Sequence, residues 1–252
     1  MNKDKISIIV PCYNEEEALP LFYGEVTKVL GGMDAEYELL LINDGSKDQT
    51  LAKMRELAAL DDHVKYFSFS RNFGKESAMY AGFCNADGDY VAVMDADLQD
   101  PPTLLPEMYK ILQEGEYDSV AARRADRKGE SPVRSFFARC FYRIINRLSD
   151  ADVMDGARDF RLMKKEMAGA IVSMSEYNRF SKGIFGWVGF STYWLDYENE
   201  KRVAGQTKWN FWGLLRYAID GIINFSQSPL DFASWLGMFM TLLAFVMLLF
   251  IV

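Results

Sequence analysis

Five short apolar runs, Ile6 to Val10, Glu38 to Ile42, Val64 to Phe69, Tyr90 to Met94 and Ser119 to Ala122, alternate with segments of helix length. Strand-length runs separated by helical stretches are the pattern of a sheet covered by helices, so the first 125 residues predict a doubly wound α/β unit with a mostly parallel sheet. In such sheets ligands sit beyond the carboxyl ends of the strands. The segments at those ends are polar: PCYNE after the first run, NDGS after the second, SRNFGK after the third and DADLQD after the fourth.

The other end of the chain follows a different pattern. From Phe232 to Val252 there is no charged residue, and at ~1.5 Å rise per residue such a helix spans roughly 30 Å of hydrocarbon. This predicts a transmembrane helix; a buried core helix is the alternative, which the absence of any polar face disfavours. Lys201, Arg202, Lys208 and Arg216 precede it, which places the large N-terminal part on the cytosolic side of a cell membrane. The start, MNKDKISIIV, lacks the pattern of a secretory signal. The expected organisation is a cytosolic catalytic domain over residues 1–208, a juxtamembrane amphipathic helix over 209–228 and a transmembrane helix over 229–252, expected to be the first of two in a truncated chain.

Charge refines the picture. The formal net charge of the 252 residues is -8, which disfavours nucleic acid as a partner. Within this acidic chain, Arg123, Arg124, Arg127, Lys128, Arg134, Arg139, Arg143 and Arg147 crowd one stretch. Its part from Val133 to Leu148 spaces arginines against Phe137, Phe141, Ile144 and Leu148 as an amphipathic interfacial helix would, with an ordinary surface helix as the alternative. Cys12, Cys84 and Cys140 lie far apart and His63 is the single histidine, so a zinc site or disulfide framework lacks material and a reducing setting fits.

The chemistry concentrates in the fourth polar segment. Asp95 and Asp97 are two residues apart, and in extended geometry their carboxylates would point the same way and hold one hard divalent ion, Mg²⁺ or Mn²⁺. Bridged to a diphosphate, such an ion would neutralise charge on a departing nucleotide. Asp44 in NDGS is open to two readings, a tight turn or an acceptor of hydrogen bonds from base or ribose, with Tyr13 of PCYNE offering an apolar face. Gly74-Lys75-Glu76 lacks the spacing of a P-loop, and no GxGxxG follows the first strand.

PCYNE, NDGS, SRNFGKESAMYAGF, DADLQDPP, DFRLM and RVAGQTKW, in this order, resemble the glycosyltransferase family 2 fold, of GT-A type, and within it the polyprenyl-phosphate hexose synthases, which include dolichyl-phosphate mannose synthase and bactoprenol glucosyltransferases. The resemblance covers nearly the whole chain. It implies that Pro11, Tyr13, Glu15, Asp44 and Asp95 contact the nucleotide, that Asp95, Asp97 and Gln99 surround the metal and diphosphate, and that Asp159 lies near the sugar and acceptor. Arg123, Arg161, Arg202 and Lys208 are implied to bind phosphate, with Arg202 also catalytic; the basic stretch adds Arg134 and Arg139 toward the acceptor and the membrane lipid. The family typically carries two transmembrane helices where this chain shows one, which leaves a homo-oligomer open.

The implied reaction is inverting transfer of a hexose from a nucleotide-sugar, with UDP-glucose favoured and UDP-GlcNAc or GDP-mannose as alternatives, onto undecaprenyl or another polyprenyl phosphate. A lipid phosphate is already ionised near neutral pH, so positioning and charge stabilisation would carry the reaction, with Asp159 an orienting group rather than a strong base. Three rivals stand beside this reading. A processive polysaccharide synthase would need a QxxRW element that QTKW at Gln206 does not supply. A nucleotidylyltransferase leaves the apolar helix and the final basic motif unexplained. A non-enzymatic membrane adaptor would bind nucleotide without turnover.

Overall fold

The computed structural model describes residues 3–124, 154, 156–177, 179–197, 226 and 228–251. The expected segment from Val133 to Leu148, together with Arg134, Arg139, Arg202 and Lys208, lies outside the described residues, as does the juxtamembrane stretch from 209 to 225.

All five sequence-predicted strands are present: β1 (Lys5–Cys12), β2 (Glu36–Asn43), β3 (Val64–Ser68), β4 (Tyr90–Val93) and β5 (Ser119–Arg124). Between them run α1 (Ala18–Leu30), α2 (Thr50–Leu60), α3 (Lys75–Asn85) and α4 (Leu105–Gln113). Further along come β6 (Ala157–Lys164), α5 (Lys165–Ser173), α6 (Ser181–Trp187), β7 (Thr192–Tyr197) and α7 (Ser228–Ile251). The strands form one sheet in the order β3-β2-β1-β4-β6-β5-β7. All neighbouring pairs are parallel except those of β6, which runs antiparallel to both β4 and β5.

Two apolar layers flank this sheet, which is why the inner strands read as nearly unbroken hydrophobic runs. Ile6, Ile8 and Val10 of β1 face the layer that holds Leu19, Phe22 and Val26 of α1 and Met108 and Leu112 of α4. Ile9, alternating to the other side, joins Ala78, Met79 and Phe83 of α3, Met167 and Ile171 of α5, and Ile184 and Phe185 of α6. Helix α3 lies close on β1 because Gly82 permits it: a Cβ there would come within 2.1 Å of Ile9 Cγ2. Residues Leu230–Ile251 of α7 form a helix long and apolar enough to cross a membrane, with side chains such as Phe239, Leu242 and Phe250 exposed.

The reversal at β6 matters most for the site. Its register sets Ala157 opposite Arg123 of β5 and Arg161 opposite Val93 of β4, so β6 begins at the edge where β4 and β5 end. A strand that starts there delivers its first residues to the ligand edge, and its alternation sends Arg158 and Asp159 to opposite faces of the sheet.

Candidate functional site

The loops after β1 and β2 are sewn together at the carboxyl edge. The amide of Asn14 (φ 52°) donates to Ser46 Oγ at 3.0 Å, the amide of Lys47 donates back to Asn14 Oδ1 at 2.8 Å, and the Glu15 amide donates to Thr50 Oγ1 at 2.8 Å. Pro11, next to last in β1, pairs with Ile42, and Tyr13 is half-buried in the loop that follows. Asp44 is buried, and its two oxygens accept from the amides of Phe73 (2.6 Å) and Gly74 (2.9 Å). Burial pushes the Asp44 pKa up against the pull of those two amides. Its carboxylate therefore shapes the SRNFGK loop, a task that neither reading of NDGS included. Gly45 (φ +64°) is needed in this contact, since a Cβ there would lie 2.3 Å from the backbone carbon of Arg71.

The acidic segment departs from the extended geometry expected of it. Strand β4 ends at Val93, and Ala96 and Asp97 form a turn, with Leu98 at φ 56°. Asp97 is buried and its Oδ1 accepts from the Gln99 amide at 3.1 Å. The reason is local: an Asp side chain bonded two residues on offers the backbone an alternative to continuing the strand. Asp95 and Asp97 are thus presented by a turn, not by one face of a strand.

Two basic side chains brace this turn from opposite sides of the sheet. Arg158 donates through Nε to Asp100 Oδ1 at 3.1 Å and through Nη2 to Gln99 Oε1 at 3.2 Å, and the Tyr197 hydroxyl donates to the same Asp100 oxygen. On the other side, Lys75 Nζ lies 2.7 Å from Asp95 Oδ1 and 2.5 Å from Asp159 Oδ2. Burial would raise the Asp159 pKa, but Lys75 and Lys182 outweigh it and hold the carboxyl below its usual range. Asp95 goes the other way: burial and the neighbouring Asp159, Asp100 and Asp97 raise its pKa despite Lys75. Glu76, next along α3, accepts from the amide of Ser181 at 3.0 Å and from its hydroxyl, fixing the start of α6 beside the site.

The remaining arginines are engaged inside the fold. Arg161 is buried at 3% exposure with its guanidinium 3.6 Å from the Phe185 ring centre, and burial pushes its pKa down to about 9 against the pull of Asp159. Arg123 forms a two-point pair with Asp196 of β7, at 2.6 and 2.8 Å. The structure thus brings Asp95, Asp97, Gln99 and Asp159 together, sets Asp44 behind the neighbouring loop, and turns Arg123 and Arg161 toward protein partners. Lys75, Glu76, Asp100, Arg158 and Tyr197 belong to the same constellation and were not singled out from sequence. The one signal was the charged pair Lys75-Glu76 opening a helix that carries no other charge.

A hard divalent cation fits this donor set. Asp95 and Asp97 offer only oxygen, whereas the Asp100 carboxylate is already taken by Arg158 and Tyr197. Gln99 presents its carboxamide oxygen to Arg158 instead. Among the described residues no three His, Cys, Asp or Glu side chains converge as a metal cage.

Comparison with known proteins bears on the same segments. The chain is 45% identical over 246 residues, 98% of its length and 74% of the relative's, to a Bacillus subtilis protein named as the glycosyltransferase CsbB. It is 41% identical over 242 residues, 96% of its length and 78% of the relative's, to the bactoprenol glucosyl transferase of Shigella phage SfV. Its fold is similar to that of glucosyl-3-phosphoglycerate synthase from Mycobacterium tuberculosis, solved with Mn²⁺, UDP-glucose and phosphoglyceric acid: TM-score 0.54, 17% identity, 86% of this chain and 76% of that one. The family described as Glycosyl transferase family 2 matches residues 7–171, a span that holds the PCYNE, NDGS, DADLQD and DFRL segments, and the chain belongs to that family.

Proposed function

We propose that this family 2 enzyme transfers a hexose, with glucose from UDP-glucose favoured, to a polyprenyl phosphate at the cytosolic face of a cell membrane. The observation that carries this is the coexistence of an acidic turn at the sheet's carboxyl edge, braced by Lys75 and Arg158, with the apolar helix Leu230–Ile251 in one chain. The relatives named bactoprenol glucosyl transferase support the lipid acceptor, and the Mn²⁺ and UDP-glucose bound to the Mycobacterium protein of the same fold support the donor and the ion.

Asp95 and Asp97 would hold Mg²⁺ or Mn²⁺, which, when bound, stabilises the charge on the leaving diphosphate. The loops around Pro11, Tyr13, Glu15 and Asp44 receive the nucleoside, with Asp44 keeping the Phe73–Gly74 backbone in place beside it. Arg158 holds Gln99 and Asp100, so the acidic turn does not rearrange when charge arrives. Asp159, kept ionised by Lys75 and Lys182, accepts hydrogen bonds from sugar hydroxyls and orients the anomeric carbon toward the acceptor. An oxygen of the lipid phosphate, ionised near neutral pH, attacks that carbon in line while its bond to the diphosphate breaks, inverting the configuration; positioning and charge stabilisation supply the rate. Arg202 and Lys208 steady the phosphates, and Arg134 and Arg139 gather the lipid head group at the membrane surface.

The test is product formation in detergent or lipid with undecaprenyl phosphate, Mg²⁺ or Mn²⁺, and a panel of UDP-glucose, UDP-GlcNAc and GDP-mannose. A metal-dependent glycolipid from one donor establishes the reaction and names the sugar. Donor binding without any glycolipid would favour a membrane-anchored nucleotide-binding adaptor instead.

A further inference from the structure

Lys75 occupies a place that helix energetics alone would not choose. It is the first residue of α3, where a cation opposes the helix macrodipole. Gly74 ahead of it sits at φ +97°, and Asp44 already takes the amides of Phe73 and Gly74. The ammonium is held by acids brought from two other elements: Asp95 just past β4 and Asp159 on β6, 84 residues away in the chain. Burial disfavours its charge, but the two carboxylates more than offset this and raise its pKa. A single monovalent cation therefore sits on the carboxylate that the proposed function gives to the divalent ion.

We propose that Lys75 is the resident counter-ion of the metal site, so that a divalent cation binds weakly to the protein alone and tightly only together with a nucleoside diphosphate. This rests on the metal-bridged diphosphate reading above. An ammonium has three protons and a flexible stem, so it can keep Asp159 while giving up Asp95. A dication on Asp95 then lies close to a positive charge, and like charges at such spacing inside a protein repel strongly. The two negative charges of a diphosphate offset that repulsion, and the coupling is reciprocal: nucleotide tightens metal by the factor that metal tightens nucleotide. Lys75 is in this sense a positioning residue. It holds Asp95 and Asp159 on one ammonium until donor and metal arrive together, which disfavours a metal-loaded, donor-free site.

The experiment is Mn²⁺ titration of the full chain in detergent, reading free Mn²⁺ by electron paramagnetic resonance, with no nucleotide, with UDP and with GDP. For the wild type, one nucleotide should tighten Mn²⁺ by about ten-fold or more. In Lys75→Met, Mn²⁺ alone should bind about ten-fold more tightly and the nucleotide effect should shrink; Lys75→Arg should keep the wild-type pattern. Lys75→Gln, which can still hydrogen-bond Asp159, serves as the second uncharged variant, with circular dichroism confirming the fold. Equal Mn²⁺ affinity with and without both nucleotides in the wild type overturns the proposal before any variant is made. So does a folded Lys75→Met or Lys75→Gln whose Mn²⁺ affinity is unchanged or weaker. If the wild type takes up no Mn²⁺ under any of the three conditions, the metal reading itself falls, an outcome distinct from the other two.

Discussion

The guanidinium of Arg158 meets the carboxylate of Asp100 at 3.1 Å across 58 residues of sequence, and the Tyr197 hydroxyl binds the same oxygen from β7. Asp100 is 3% exposed, so this buried acid depends on partners supplied by β6 and β7. Arg158→Met strands that carboxylate beside the acidic turn. Breaking a buried pair on one side costs about 3–5 kcal/mol; with a quarter of the Arg158 side chain exposed, the expected loss is roughly 2–3 kcal/mol. Urea unfolding measures it, and a loss below about 0.5 kcal/mol would mean that Arg158 does not anchor the turn.

The carboxylate of Asp97 is, with that of Asp95, one of the two proposed to hold the ion. Asp97→Asn keeps the shape and the capacity to accept from Gln99 but removes a charge, and glycolipid formation is expected to fall by about 100-fold or more at saturating Mg²⁺ or Mn²⁺. Wild-type turnover of this variant in the same assay would sink the metal assignment.

Gly45 lets the NDGS and SRNFGK loops touch. In Gly45→Ala the added Cβ meets the Arg71 and Asn72 backbone at 2.3 and 2.5 Å, and φ +64° is itself unfavourable for alanine. The loops must part, which should cost about 1–3 kcal/mol of stability. Because the same contact adjoins the one that Asp44 makes with Phe73 and Gly74, UDP binding followed by calorimetry at a temperature where the variant is fully folded should weaken. Unchanged UDP affinity would place the nucleotide elsewhere.

Acid stability should depend on a group far from the site. Glu38 is buried, which raises its pKa, yet Lys65, Ser7 and the Asp87 amide bind its carboxylate and bring the pKa down from 4.5 to about 2. A folded pKa below the unfolded one means stability that is fully present above pH 4.5 and is lost as the pH falls toward 2. The amount is on the order of 3 kcal/mol. Glu38→Gln should flatten the decline of stability between those pH values in denaturant titrations, and an unaltered slope would assign acid unfolding to other carboxylates.

The alternation of apolar and polar residues determined by itself the five leading strands, the layering of helices around them and the apolar span at Leu230–Ile251. These are local properties: a period and a run length depend on neighbours in sequence, and every inner strand here is buried on both faces. Tertiary structure decided the rest. The reversal of β6 cannot be read from RDFRLMK, because strand direction depends on which edge the chain reaches on its return, and that reversal is what brings Arg158 and Asp159, at the start of β6, to the edge where β4 and β5 end. Lys75 lies 84 residues from Asp159, and Arg123 lies 73 from Asp196. Charge pairs over such distances leave no periodic trace in the sequence, so which carboxylates share a cation, and which arginines are turned toward protein rather than phosphate, is settled only when the strands that carry them lie side by side.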